Sequence, residues 1–325
     1  MFGSAPGVAV VRRAGRIAVV DRKGERWRSH GRFRIIGTPR VLTGLALGAH
    51  SLAFSFDTIG SGAGDALYVA PLAGRERRVT GEGGESPLGW TPAGALVTSR
   101  YLGGESFRLL LRAPWGALLG TLANRARVPT WDPATRSALF VAAGWLMRSA
   151  GASAKRMADV RPLGLAAPRT ISLLRPIPGG GVGLRGGRSV LTLGRDGALR
   201  ARTRLPRGSI QGDGLIPSPD GSMVAFAVIW ASPGGRRASI AVEVLGPRPG
   251  PARQIADWQV RSPGTCAGVA VSLRWRGRWL LASDGLGTVL AARASGAGGA
   301  VDLSAAGRAL AGADTAPAAI DARWG

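Results

Sequence analysis

The chain has 325 residues, more than the ~100 to 200 that one ordinary hydrophobic core serves, so it is read as two domains or one repetitive domain. Hydrophobic residues make up 45% and mean hydropathy is +0.11, which excludes wholesale disorder. Lys and Arg total 43 against 19 acidic residues, a formal charge of +24 that attracts nucleic acid, anionic lipid or acidic polymers but carries no information about fold.

Only Lys23 and Lys155 are lysines, so the basic excess is almost entirely arginine. Cys266 is the sole cysteine, which excludes an internal disulfide framework and leaves the redox compartment open. Residues 1–7 lack a basic segment followed by an apolar stretch, so no signal peptide is expected in the chain as it stands. The longest apolar runs, 138–147 and 223–231, are too short to span a bilayer, so no transmembrane segment is expected.

In chain order, the first unit reads as three short strands, 7–12, 16–21 and 25–28. The second reads as four, at 41–47, 51–56, 66–72 and 76–80. Further units begin near Pro87, Val128, Thr170 and Ala267, and the sixth holds runs at 214–217, 222–230, 238–245 and 252–256. Each run is 5 to 8 residues of Val, Ile, Leu, Phe and Ala between Gly, Pro or Asp clusters, which predicts strands and few helices.

The runs repeat. Trp90-Thr91-Pro92-Ala93-Gly94, Trp131-Asp132-Pro133-Ala134-Thr135 and Pro217-Ser218-Pro219-Asp220-Gly221 each end an apolar run in a turn, and Trp275-Arg276-Gly277 and Trp324-Gly325 are shorter versions. Their spacing approaches the ~40 to 50 residues of a four-stranded blade. The expectation is an all-β chain, one β-propeller domain over 1–325 with about seven four-stranded blades, six remaining open. The first unit lacks an innermost strand and 318–324 supplies one, so pairing the C-terminal strand with the N-terminal blade closes the ring and removes two exposed edges.

Leu52-Ala53-Phe54-Ser55, Asp65-Ala66-Leu67-Tyr68-Val69, Arg77-Arg78-Val79-Thr80 and Pro87-Leu88-Gly89-Trp90-Thr91-Pro92-Ala93-Gly94 resemble the repeat of the TolB-like, WD40-like propellers. Pro219-Asp220-Gly221 with Val224-Ala225-Phe226 repeats the match, while the fifth unit, around 174–187, is degenerate. The resemblance implies a propeller used for binding, often outside the cytoplasm, and transfers no catalytic residue.

Catalytic raw material is scarce. His30 and His50 are the only histidines, and each reads as a turn or packing residue. Gly181-Val182-Gly183-Leu184-Arg185-Gly186 matches GxGxxG, but a strand-like run follows where a nucleotide site needs a helix, so a blade turn is the reading. Asp57, Asp213, Asp257 and Asp284 fall near turns and read as turn formers. Cys266 has no activating neighbour in the sequence.

The recurring tryptophans Trp90, Trp131, Trp275 and Trp324 are expected to wedge between neighbouring blades. Arg274, Arg276 and Arg278 alternate with Trp275 and Trp279, the pattern of a strand with one polar and one buried face. Arginines at 26 and 28, at 75, 77 and 78, and at 200, 202 and 204 fall on predicted outermost strands, where charge discourages edge-to-edge pairing.

The loops joining strand b to strand c, and strand d to the next strand a, share one side of a propeller. They gather Arg34, Arg40, Arg100, Arg207, Arg236, Arg237 and Arg261, the candidate binding residues. The functional expectation is a non-enzymatic monomer without catalytic residues, cofactor or metal, which recognises a protein or peptide partner, acidic by charge, through that side. The alternatives are a nucleic-acid or anionic-polymer binder and a hydrolase or lactonase built on channel carboxylates.

Overall fold

The computed structural model describes residues 8–13, 16–21, 24–30, 40–58, 66–80, 84–163, 171–205, 209–211, 214–231, 237–246, 251–261, 271–284 and 288–305. The chain divides into two compact units, residues 1–164 and 165–325.

In the first unit, β1 (Val8–Arg13), β2 (Arg16–Asp21) and β3 (Gly24–Arg28) form a three-stranded antiparallel sheet. Next come β4 (Arg40–Leu47), β5 (Ser51–Thr58), β6 (Ala66–Pro71) and β7 (Arg77–Arg78), a four-stranded meander. A seven-stranded sheet follows, with β8 (Glu85–Trp90), β9 (Leu96–Gly103), β10 (Ser106–Arg112), β11 (Leu118–Asp132), β12 (Ser137–Ala142), β13 (Trp145–Ala150) and β14 (Ser153–Asp159). It comprises two four-strand blades that share β11. Residues 118–126 pair with β10 and residues 127–132 with β12, the register jumps between Arg127 and Thr130, and Val128 sits at φ +43°.

The second unit starts with β15 (Ile171–Ile177), β16 (Gly181–Gly186), β17 (Ser189–Leu193) and β18 (Leu199–Arg204). The next blade has an interrupted first strand, β19 (Ser209–Gln211) and β20 (Ile216–Pro217), both pairing with β21 (Val224–Ala231), then β22 (Arg237–Leu245) and β23 (Arg253–Arg261). The last is β24 (Ser272–Arg276), β25 (Trp279–Ser283), β26 (Val289–Arg293) and β27 (Ala300–Asp302). The described strands therefore make seven blades, all antiparallel, with strands a to d in sheet order and the first showing b to d. The proposed closing strand at 318–324 lies outside the described residues.

Within each unit, neighbouring sheets bury alternating side chains against one another, because period-two alternation gives every strand two faces to cover. Ile17, Val19 and Trp27 pack with Leu52, Phe54 and Ala70, and Ala46, Ala53, Leu67 and Val69 pack with Trp90 and Leu96. In the second unit Ile177 and Val190 meet Phe226 and Val228, and Ile240 and Val242 meet Leu280 and Leu290.

The tryptophans stitch these layers as their recurrence predicts. Trp90 Nε1 donates to Ala46 O at 3.0 Å, and Trp275 Nε1 to Ile216 O at 2.9 Å, each reaching strand a of the preceding blade. Trp131 does the same by contact: a Cβ added at Gly89 would lie 2.0 Å from its Cε2, so glycine is the residue that fits there.

Three details depart from the sequence reading. Residues 181–186 form strand β16 rather than a turn, with both faces almost wholly buried, and the fifth blade is regular despite its degenerate sequence. β23 continues to Arg261, past the expected end at 256, because Trp258 finds a partner for its indole in Asp284 Oδ2 at 3.0 Å. Residue 100 is within β9, not a loop, since that strand runs to Gly103.

Candidate anion-binding groove

The register places four of the predicted arginines at the b–c end of their own sheets. Arg40 opens β4 opposite Thr58, and Arg237 and Arg261 face each other across β22 and β23. Arg34, Arg207 and Arg236 lie outside the described residues, and Arg40 and Arg261 are placed by their backbone alone.

Arg100 is committed to a buried cluster. Its Nη2 donates to Glu85 Oε2 at 2.9 Å, while Arg112 gives Nε to Oε1 at 2.5 Å and Nη2 to Oε2 at 2.9 Å. Thr98 Oγ1 adds a bond to Oε1 at 2.6 Å. Burial is the largest influence on the Glu85 carboxyl and would raise its pKa, yet the donors from Arg112, Thr98 and Arg100 together hold it below the ordinary value. This arrangement is structural: it joins strands β8, β9 and β10 through one carboxylate.

A different set of arginines converges in the second unit, at the opposite, a–b and c–d, end of blades six and seven. A groove of about 650 Å³ is lined by Arg253, Arg278, Trp279, Arg293, Met223 and Asp220, among others. Arg278 and Trp279 follow the β24–β25 turn because Gly277 supplies the left-handed residue there, φ +57°, and Arg278 O accepts from Ala294 N at 3.0 Å. Arg293 ends β26, and its guanidinium lies over the Trp279 ring, 5.1 Å from the centroid. Arg253 opens β23 and donates Nη2 to Ala294 O at 2.5 Å, which leaves further N–H groups of its fork to offer.

Among the described residues no carboxylate pairs with Arg253, Arg278 or Arg293. The one acid in the lining, Asp220, is engaged by its own turn. Ser218 Oγ donates to Oδ1 at 2.6 Å, and Ser222 adds its N–H at 3.0 Å and its hydroxyl at 2.9 Å. The Ser218 hydroxyl bond, then the Ser222 bonds, hold its pKa below the usual carboxylate value, so it remains ionised. Three guanidinium groups against one carboxylate leave the groove positive, and guanidinium does not titrate near neutrality.

A smaller hollow of about 220 Å³ between blades five and six opens at the same end, and Met223 lines both. It adds Arg195 and Arg200, the latter paired with Asp196 at 2.8 Å. The sequence reading singled out Arg278 and Trp279 as an alternation but did not join them to Arg253 and Arg293. The alternation holds only as far as Arg276, with Leu273 and Trp275 buried and Arg274 and Arg276 exposed; Arg278 lies in the turn and Trp279 opens the next strand, so they do not continue it.

Other candidates fall into structural places. Asp284 accepts from Trp258 Nε1 and from Thr288 N, and Asp257 accepts from Gln254 Nε2. Asp57 has a described backbone only, while Asp213 and Cys266 lie outside the described residues. His30 Nδ1 lies 3.4 Å from Glu76 Oε2. Among the described residues no group of three or more His, Cys, Asp or Glu is arranged to hold a metal. No described helix is long and apolar enough to cross a membrane.

No protein-family model and no curated protein matches the chain. Among solved structures it is similar to BamB from Moraxella catarrhalis, with a TM-score of 0.54 and 11% identity over 92% of this chain and 86% of that one. It is also similar to Hsv2 from Kluyvelomyces marxianus, with a TM-score of 0.51 and 10% identity over 91% and 93%. At such identities the likeness concerns architecture alone: the chain has the β-propeller fold.

Proposed function

We propose that this β-propeller is a non-enzymatic binding scaffold, one domain over residues 1–325, that recognises a protein or peptide segment rich in acidic side chains. The observation that carries the reading is the convergence of Arg253, Arg278 and Arg293 around Trp279, three guanidinium groups against one lining carboxylate that is already engaged by the donors of its own turn. Guanidinium forks match carboxylates two bonds at a time, and an aromatic wall adds contact area to an otherwise polar surface. Arg237 and Arg261, at the b–c end of blade six, offer the rival contact surface within the second unit. A partner that uses it docks without touching the groove.

A second reading, a binder of nucleic acid or another anionic polymer, is favoured by the net charge of +24. Fluorescence anisotropy with a labelled Glu-rich peptide separates the two. The proposal expects saturable binding that weakens by about tenfold or more in R278E/R293E, since two charge-assisted contacts are reversed. Binding insensitive to R278E/R293E but lost in R237E/R261E moves the site to the b–c end. A labelled DNA duplex of equal charge that binds as tightly as the peptide favours the polymer.

A further inference from the structure

Blade three carries an apolar surface that none of the binding roles above uses. Trp115 is 61% exposed, and Leu118 and Leu119 are each 57% exposed. They belong to the turn between β10 and β11 and to the first residues of β11.

The turn is built to hold Trp115 outward. Gly116 N donates to Ala113 O at 2.8 Å, Ala113 N donates to Ala117 O at 2.8 Å, and Pro114 occupies the position where its fixed φ favours such a turn. Gly116 takes φ +95° and rests on blade two, where an added Cβ would lie 2.4 Å from Val79 Cγ2. Its carbonyl is held from within by Arg112 Nη1 at 2.8 Å, the same arginine that is anchored on buried Glu85. A rigid turn therefore displays an indole that could have been packed inward.

Val79, on which the turn stands, follows Arg77 and Arg78 directly. Both are exposed, and neither pairs with a carboxylate among the described residues. The turn that displays the tryptophan thus stands on the segment that carries the two arginines.

We propose that this turn is a membrane-surface contact, in which Trp115, Leu118 and Leu119 enter the interfacial region of an anionic bilayer while Arg77 and Arg78 meet lipid headgroups. The indole suits that boundary because it has an apolar body and one N–H donor, and basic residues beside it add attraction to negative lipid. The shape favours a bilayer over a protein. Three projecting side chains offer on the order of 300 to 400 Å², a functional-patch size, whereas a stable protein interface needs about 800 Å² from each partner.

Vesicle flotation tests it with the full chain and two compositions, phosphatidylcholine alone and phosphatidylcholine with 30% phosphatidylserine, the latter about the anionic content of a charged leaflet. The wild type is expected on the phosphatidylserine vesicles. W115S/L118S/L119S is expected to bind about tenfold or more weakly, and R77Q/R78Q about fivefold more weakly for each arginine lost. A W115C/C266S protein carrying an environment-sensitive dye at position 115 is expected to shift its emission to the blue on the same vesicles. Absence of binding to anionic vesicles, or a dye that stays in water while the protein floats, overturns the proposal. Floating by the triple variant equal to wild type reduces the effect to bulk charge and also overturns it. A wild-type dimer in light scattering that W115S dissolves assigns the surface to a second copy instead.

Discussion

Replacing Glu85 by Gln keeps the side-chain shape and removes one charge from the centre of blade three. Glu85 is fully buried, and the Arg112 side chain is 8% exposed, so the guanidinium left behind has no access to compensating water. Arg100, 37% exposed, rehydrates and contributes little. Breaking a buried pair in this way costs about 3 to 5 kcal/mol, most of it the uncompensated Arg112 charge. Urea unfolding followed by far-ultraviolet circular dichroism at pH 7 measures the loss. The carboxyl is held below its ordinary pKa in the fold, so its stabilisation is complete above the unfolded value of about 4.3 and disappears as pH falls through the folded value. The deficit of E85Q is therefore full between pH 5 and 8 and shrinks below about pH 4, where wild type loses the same charge. A deficit under about 1 kcal/mol at pH 7, or one that does not change between pH 3 and 7, refutes the reasoning.

Two further substitutions test the packing between blades. G89A drives a methyl to within 2.0 Å of the Trp131 ring and is expected to destabilise by about 1 to 3 kcal/mol in thermal melts, while an unchanged midpoint contradicts that contact. W275F removes the bond from Nε1 to Ile216 O and is expected to cost about 1 kcal/mol, read as a lower urea midpoint; stability equal to wild type means the bond contributes nothing.

Much of the architecture is legible in the chain because the repeat writes it several times. In the second blade the run Ser51–Phe56 and the Gly-rich segment after it predict β5 and β6 within two residues. Trp90, Trp131 and Trp275 mark the end of strand a because an indole of that size has room only between two sheets. β11 is less legible: Pro129 and the basic residues before it look like a break, yet the chain only changes partner there, from β10 to β12. The sixth blade hides only the far half of its outer strand, since the polar run Asp257-Trp258-Gln259 resembles a linker until Asp284 is seen beside the indole.

The groove was least legible. Arg253 and Arg293 are about one repeat apart in sequence, and only the stacking of blades six and seven brings both to Trp279. The linker arginines stand out in the sequence because the segments that carry them join strands on one side of the repeat. The groove arginines sit at the c–d turn of blade six and at the a–b and c–d turns of blade seven, a pattern visible only once the strands are aligned blade on blade.

Hydrogen exchange of the full chain, with and without a saturating Glu-rich peptide, tests the central claim most directly. The account predicts that protection rises at the β24–β25 turn around Arg278 and Trp279 and at the end of β26 around Arg293, with no change at the paired ends of β22 and β23 carrying Arg237 and Arg261. Protection confined to those paired ends, with the groove exchanging as in the free protein, contradicts it.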